Sequence, residues 1–172
     1  MLMAPAAFAD TCPPVPDRSD ELTAIYTDLA ASRGDAQAQV LNQQLWAIWT
    51  DAPDAKAQDL LDEGMRRRGV YDFLGARDVL DQLIEYCPDY AEGYNQRAFA
   101  SYLRQDFDVA LADLDRTLAI NPRHIGALSG KALTLIGMGR TDEAQVVLRA
   151  ALALNPWLGE RALLTEPLGQ DI

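Results

Sequence analysis

The chain has one histidine, two cysteines, and aromatic residues at only 8% of its 172 positions. A zinc site of the Cys/His type takes about four ligands, and Cys12, Cys87 and His124 are too scattered to form one. Neither a metal site nor a cofactor is expected. Cations are also scarce: Lys and Arg number 15 against 26 Asp and Glu, a net charge of -11. An acidic chain repels a phosphate backbone, which argues against nucleic acid as a partner. No apolar run approaches the roughly 20 residues that cross a bilayer, so no membrane span is expected. A nucleophile motif and a phosphate loop are missing too, and the chain reads as a non-enzyme without catalytic residues. Asp59, Asp62, Asp113 and Asp115 are expected to point outward, with no cleft to shift their pKa values. What is present is apolar residues, 49% of the chain, enough to bury a core.

The first residues, MLMAPAAFA, carry the small-x-small pattern Ala7-Phe8-Ala9 that a signal peptidase accepts. They read as the tail of a secretory signal ending near Ala9, which implies a periplasmic or secreted protein. The alternative is an ordinary Ala-rich terminus. Residues 10–18, DTCPPVPDR, follow; their prolines forbid a helix and favour an extended arm.

Beyond the arm the sequence repeats itself. Pro88, Pro122 and Pro156 are spaced by 34 residues. Ala76, Ala110 and Ala144 keep that period, as do Gly64, Ala98 and Ala132, then Leu80, Leu114 and Leu148, then Leu60, Tyr94 and Leu128. Each period predicts two helices, over 57–69 and 74–86, 91–104 and 108–120, 125–138 and 142–154. The turns between paired helices are Tyr71-Asp72-Phe73, Gln105-Asp106-Phe107 and Gly139-Arg140-Thr141. The small residue within each helix permits close approach of two backbones, and the proline stops the second helix.

The pattern of Tyr94, Ala98, Ala110, Leu114 and Pro122 resembles the tetratricopeptide repeat family. That resemblance implies an all-α, right-handed helical solenoid of helix-turn-helix repeats with a C-terminal capping helix. The expected organisation is a signal remnant and Pro-rich arm over 1–18, then a repeat domain over 19–172. The domain comprises a degenerate unit over 19–54, units over 57–90, 91–124 and 125–158, and a cap over 157–166. In the degenerate unit, with helices near 19–31 and 36–50, Leu41 stands where a small residue is expected. The cap is expected to be a helix opened by Asn155 and Pro156.

The resemblance further implies a protein or peptide partner in a concave groove lined by the first helices. Carried onto this sequence, its groove positions are Gln58, Leu61, Met65 and Arg68, then Glu92, Asn95, Phe99 and Tyr102, then Gly126, Ser129, Leu133 and Ile136. The Lys/Arg clamp that some family members use for a terminal carboxylate has no counterpart at Leu61, Met65, Asn95, Phe99, Ser129 and Leu133. The leading function is a protein-interaction scaffold. The alternatives are a homo-oligomer held through Trp157, Leu163, Leu164 or Leu168, or an accessory subunit of a cell-envelope enzyme.

Cys12 and Cys87 are expected to form a disulfide in an oxidising compartment; otherwise they are two unrelated thiols. Trp46 and Trp49 share a helix face, as core of the first unit or as an exposed aromatic anchor. Arg66, Arg67 and Arg68 splay about 100° apart and read as a solvated helix end. His124 is expected at the surface. Asp78, Asp81, Asp113 and Asp115 place the acidic charge on the convex side.

Overall fold

A computed structural model describes residues 11–165. Eight α-helices run along them: α1 Ser19–Ala31, α2 Asp35–Trp49, α3 Ala55–Gly69, α4 Phe73–Tyr86, α5 Ala91–Leu103, α6 Phe107–Ile120, α7 Ile125–Gly137 and α8 Thr141–Leu154. The described residues contain no strand. Each helix from α3 to α8 packs on the next, giving an all-α solenoid with α3, α5 and α7 side by side on its inner face. Helix ends lie within about two residues of the positions the periodicity predicts.

Small residues set the spacing. Ala76, Ala98, Ala110 and Ala144 are wholly buried. At Gly64 an added Cβ would stand 2.7 Å from the Leu80 side chain, so α3 and α4 touch with no room for one. The core is strung along the solenoid in patches, one around Leu61, Leu80 and Leu83, one around Ala98 and Leu114, one around Ala132 and Leu148.

Helices α3, α5 and α7 end alike. Tyr71, Gln105 and Gly139 adopt φ of 65°, 64° and 74°. The following N–H groups, of Asp72, Asp106 and Arg140, donate back to Arg67, Ser101 and Leu135 carbonyls at 3.0, 3.0 and 2.8 Å. These are left-handed Schellman ends, and glycine occupies only the last.

The first helix pair departs from the repeat. α2 does not stack on α3 as α4 stacks on α5; instead α1 packs on α2 and on α8. Leu22, Ile25, Leu29, Leu41 and Leu45 form a core with Ile125, and Leu154 and Trp157 pack against it. Bulky Leu41 keeps the pair from the close contact made elsewhere, and its apolar surface is covered by the far end of the solenoid. Residues 19–54 are thus a hairpin folded back along the solenoid, not a degenerate unit stacked at its start. Trp157 packs against this core and Leu164 near Ala132 and Leu148, each only partly buried. Leu163 is exposed, and Leu168 lies outside the described residues.

Among the described residues the expected capping segment forms no α-helix. Asn155 accepts from the Trp157 N–H at 3.0 Å, and Pro156 and Trp157 form a turn. A 3-10 turn over Gly159–Leu163 follows. The wholly buried Asn155 also donates to Asn42 at 2.8 Å, which spends its side chain on α2. The remainder of the cap, and the residues 1–9 read as a signal remnant, lie outside the described residues.

Cys12 and Cys87 are disulfide-bonded with Cα atoms 5.2 Å apart. The bond pins the arm to the end of α4. The arm then runs past Asp89 and Tyr90 toward Arg123, where α1 begins its return.

Candidate binding chamber on the inner face

The hairpin docks on the turns that join successive helix pairs. One column of the 34-residue period there reads Tyr90, His124 and Leu158. The Tyr90 hydroxyl donates to the Trp49 carbonyl at 2.6 Å. The His124 ring stacks on Trp49 at 4.1 Å between centroids. Leu158 packs in the hairpin core. Beside them, Arg123 donates to Thr23 at 2.9 Å, and its carbonyl accepts from the Tyr26 hydroxyl. Burial pushes Tyr26 up to about 12 and raises Tyr90 as well.

His124 is therefore buried, 1% exposed, where the sequence expectation was a surface position. Its Nδ1 accepts the Ala127 N–H at 3.1 Å and caps α7, which leaves the proton on Nε2. Nε2 donates to Glu92 at 2.9 Å. Asn95 and Gln96 donate to the same carboxylate. Glu92 is thus held inside, satisfied by three side chains, and is not a groove contact.

Where α2 crosses the inner face it closes a chamber of about 390 Å³. Trp46 and Trp49 come from α2, Arg68 from α3, Phe99 and Tyr102 from α5 and Leu133 from α7. The Arg68 guanidinium lies over the Phe99 ring, 4.3 Å from its centroid. Burial lowers the pKa of Arg68, and the Glu92 carboxylate opposes that shift. Phe99 remains 45% and Trp46 44% exposed.

Of the residues expected in a groove, Arg68, Asn95, Phe99, Tyr102, Gly126, Ser129 and Leu133 line this chamber. The others do not. Leu61 is wholly buried in the core between α3 and α4, and Met65 packs against the same core. Gln58 accepts the Ala52 N–H at 3.0 Å and donates to Asp62 at 2.9 Å, fastening the link into α3. Ile136 is exposed beyond the chamber. Among the described residues no group of His, Cys, Asp and Glu is arranged to hold a metal ion.

Two other expectations need correction. Arg68 is not part of a solvated helix end: Arg66 and Arg67 pair with Glu63 at 2.7 and 2.6 Å, while Arg68 turns inward. Asp113 is not an outward carboxylate; it is 5% exposed and takes two hydrogen bonds from Arg97, at 2.6 and 2.8 Å. Trp49 packs against the core of the first helix pair, as one of the two expectations had it, and Trp46 is the exposed one; both also line the chamber. The signal for α2 lay in the repeat column Tyr90, His124 and Leu158, whose side chains are larger than a solvated turn requires.

Comparison with known proteins adds the family. Residues 101–156 match the tetratricopeptide repeat model. A TPR repeat-containing protein of Rhizobium etli is 30% identical over 129 residues, covering 75% of this chain and 62% of that protein. The chain belongs to the tetratricopeptide repeat family. A tetratricopeptide repeat protein 36 homolog of Nematostella vectensis is 33% identical and covers 64% of this chain. The chain spans about three fifths of the length of these curated relatives. Among solved tetratricopeptide repeat structures, the TPR2B domain of yeast Sti1, in complex with pHsp70, superposes with a TM-score of 0.57 at 27% identity. It covers 59% of this chain and 81% of that one. MamA superposes with a TM-score of 0.56 over 82% of this chain and 76% of its own, and at 19% identity it speaks to fold alone. Tetratricopeptide repeat folds mediate protein-protein interaction, and no helix among the described residues is long and apolar enough to cross a membrane.

Proposed function

We propose that the chain is a non-catalytic scaffold that binds a protein or peptide on its inner face, beside α2. The observation that carries this reading is the exposed aromatic pair Trp46 and Phe99 at the mouth of a half-open chamber. Large aromatic rings left half in water on a concave surface supply most of the energy of a typical interface. Arg68 over Phe99 adds a cation already oriented for a partner.

Pull-down from the native host tests it. The wild-type chain is expected to retain one dominant protein partner, and the double variant Phe99→Ala, Tyr102→Ala to lose it. Unchanged capture by that variant removes the chamber from the interface.

We place the protein in the periplasm or outside the cell. The disulfide between Cys12 and Cys87 supports that compartment, because the cytosol keeps such pairs reduced. The small-x-small pattern at Ala7-Phe8-Ala9 agrees with it. Thiol trapping in intact cells, followed by fractionation, is expected to find an oxidised pair outside the cytoplasm. Two free thiols in the soluble cytosolic fraction would overturn the assignment.

A further inference from the structure

The disulfide does not join two repeats; it joins the arm to the solenoid. Its two halves differ. Cys87 is 1% exposed and packs with Leu61, Leu83 and Tyr90 at the end of α4. Cys12 is partly exposed, and the arm that carries it forms one side of an open cleft of about 1180 Å³. Leu60 from α3 and Gln82 and Tyr86 from α4 form the other side. A thiolate arriving from solvent therefore meets the sulfur of Cys12 first.

The arm belongs mechanically to the hairpin. Pro13, Pro14 and Pro16 have no N–H with which to bond the repeats. Arg18 reaches Glu21 on α1 at 3.1 Å and Asp51, just past α2, at 2.6 Å. Arm and hairpin are thus one body, covalently joined to the solenoid at two points, through the disulfide to α4 and through residues 50–54 to α3. The remaining ties are side-chain contacts, such as Asn42 with Asn155 and Thr23 with Arg123. With both tethers in place the hairpin has little chain entropy to gain by lifting off. With one, it can turn about residues 50–54.

We infer that Cys12–Cys87 is a reducible latch: exchange at Cys12 with a dithiol reductant frees the arm and hairpin and uncovers the inner face. The first reductant thiolate bonds to the Cys12 sulfur as the Cys12–Cys87 bond breaks, and the electron pair leaves on Cys87. The second thiolate bonds to the first reductant sulfur and releases Cys12. The two protons lost by the reductant equal those gained by the two cysteines, and the reductant ends as a disulfide. Cys87 then remains as a buried thiol, a small apolar filler between α3 and α4, so the repeats keep their packing. Trp46 and Trp49 leave with α2, and Phe99 and Leu133 beneath them open to solvent. The inference goes beyond a partner docking beside α2 and does not depend on one.

The full chain is compared oxidised, reduced with dithiothreitol and reoxidised. Amide exchange reads each helix. Acrylamide quenching reads Trp46, Trp49 and Trp157, which lie on the hairpin or against its core. Reduction is expected to speed exchange in α2 at least about tenfold and to raise quenching, with α5 and α6 unchanged. Reoxidation is expected to restore both readings. Timed alkylation during reduction is expected to mark Cys12 before Cys87. Cys12→Ser is expected to be open without reductant and indifferent to it. Protection of α2 that survives reduction, equal loss of protection in α5 and α6, an opening that reoxidation does not reverse, or alkylation of Cys87 ahead of Cys12 would overturn the inference. No host partner enters these measurements, so their failure and that of the scaffold reading are separate.

Discussion

Single side chains carry most of the departures from the repeat. Gln105 sits at φ 64° to close α5, in a position where Gly139 closes α7. A residue with a Cβ pays roughly 1–2 kcal/mol there, and glycine returns part of that as unfolded-state entropy. Gln105→Gly is therefore expected to stabilise the chain by about 0.5–1 kcal/mol, seen as a higher urea midpoint at unchanged slope. His124 works in the other direction. It caps α7, stacks on Trp49 and donates to buried Glu92. His124→Ala removes the cap and leaves that carboxylate short of a donor, at a cost of about 3 kcal/mol in chemical denaturation. His124→Asn, able to cap but not to reach Glu92, is expected to fall between them. These roles were hidden in the sequence: a lone histidine after a proline turn looks solvated until a tryptophan from another segment lies on it.

The elements divide into those fixed by neighbours and one held from afar. Helices α3 to α8 pack in chain order, and their small residues at Gly64, Ala76, Ala98 and Ala110 name the contacts in advance. The hairpin of α1 and α2 is held by residues about 100 positions away, as in Thr23 to Arg123 and Asn42 to Asn155. It is also tethered by the disulfide, which closes a loop of 75 residues and is worth about 4 kcal/mol by chain entropy. Cys12→Ala is expected to release the arm and raise amide exchange in α1 and α2 selectively. Helices α5 to α8 are expected to keep most of their protection. Uniform deprotection across all helices would mean that the hairpin and the repeats unfold as one unit.

At the scale of the whole molecule the hairpin and the solenoid meet through two phenols. Tyr26 donates to the Arg123 carbonyl and Tyr90 to the Trp49 carbonyl. Burial raises both, Tyr26 to about 12. A raised phenol means the fold prefers the neutral form. That stability is complete below the unfolded value near 10 and is lost as pH rises through about 12. Docking of the hairpin is expected to fail in that window, with tyrosinate absorbance and the Trp49 emission changing together. Of the acids expected on the convex side, Asp78, Asp81 and Asp115 are exposed, Asp81 pairing with Arg97 and Asp115 with Lys131, while Asp113 is internal and held by Arg97. Repulsion on that face favours solubility over any particular partner.

The 34-residue period, the positions of six helices and the turns between them were legible without coordinates. They rest on contacts within a helix and between consecutive helices, which recur at fixed offsets and leave columns of Ala, Leu and Pro. The groove was only half legible. Arg68, Asn95, Phe99, Tyr102, Ser129 and Leu133 do meet, but Leu61 and Glu92 are consumed by the core and by His124. Tertiary structure alone decided where residues 19–49 go, and with them the chamber wall of Trp46 and Trp49. Burial between segments far apart in sequence follows no period, so amphipathic helices can announce that they need cover but not which surface will provide it.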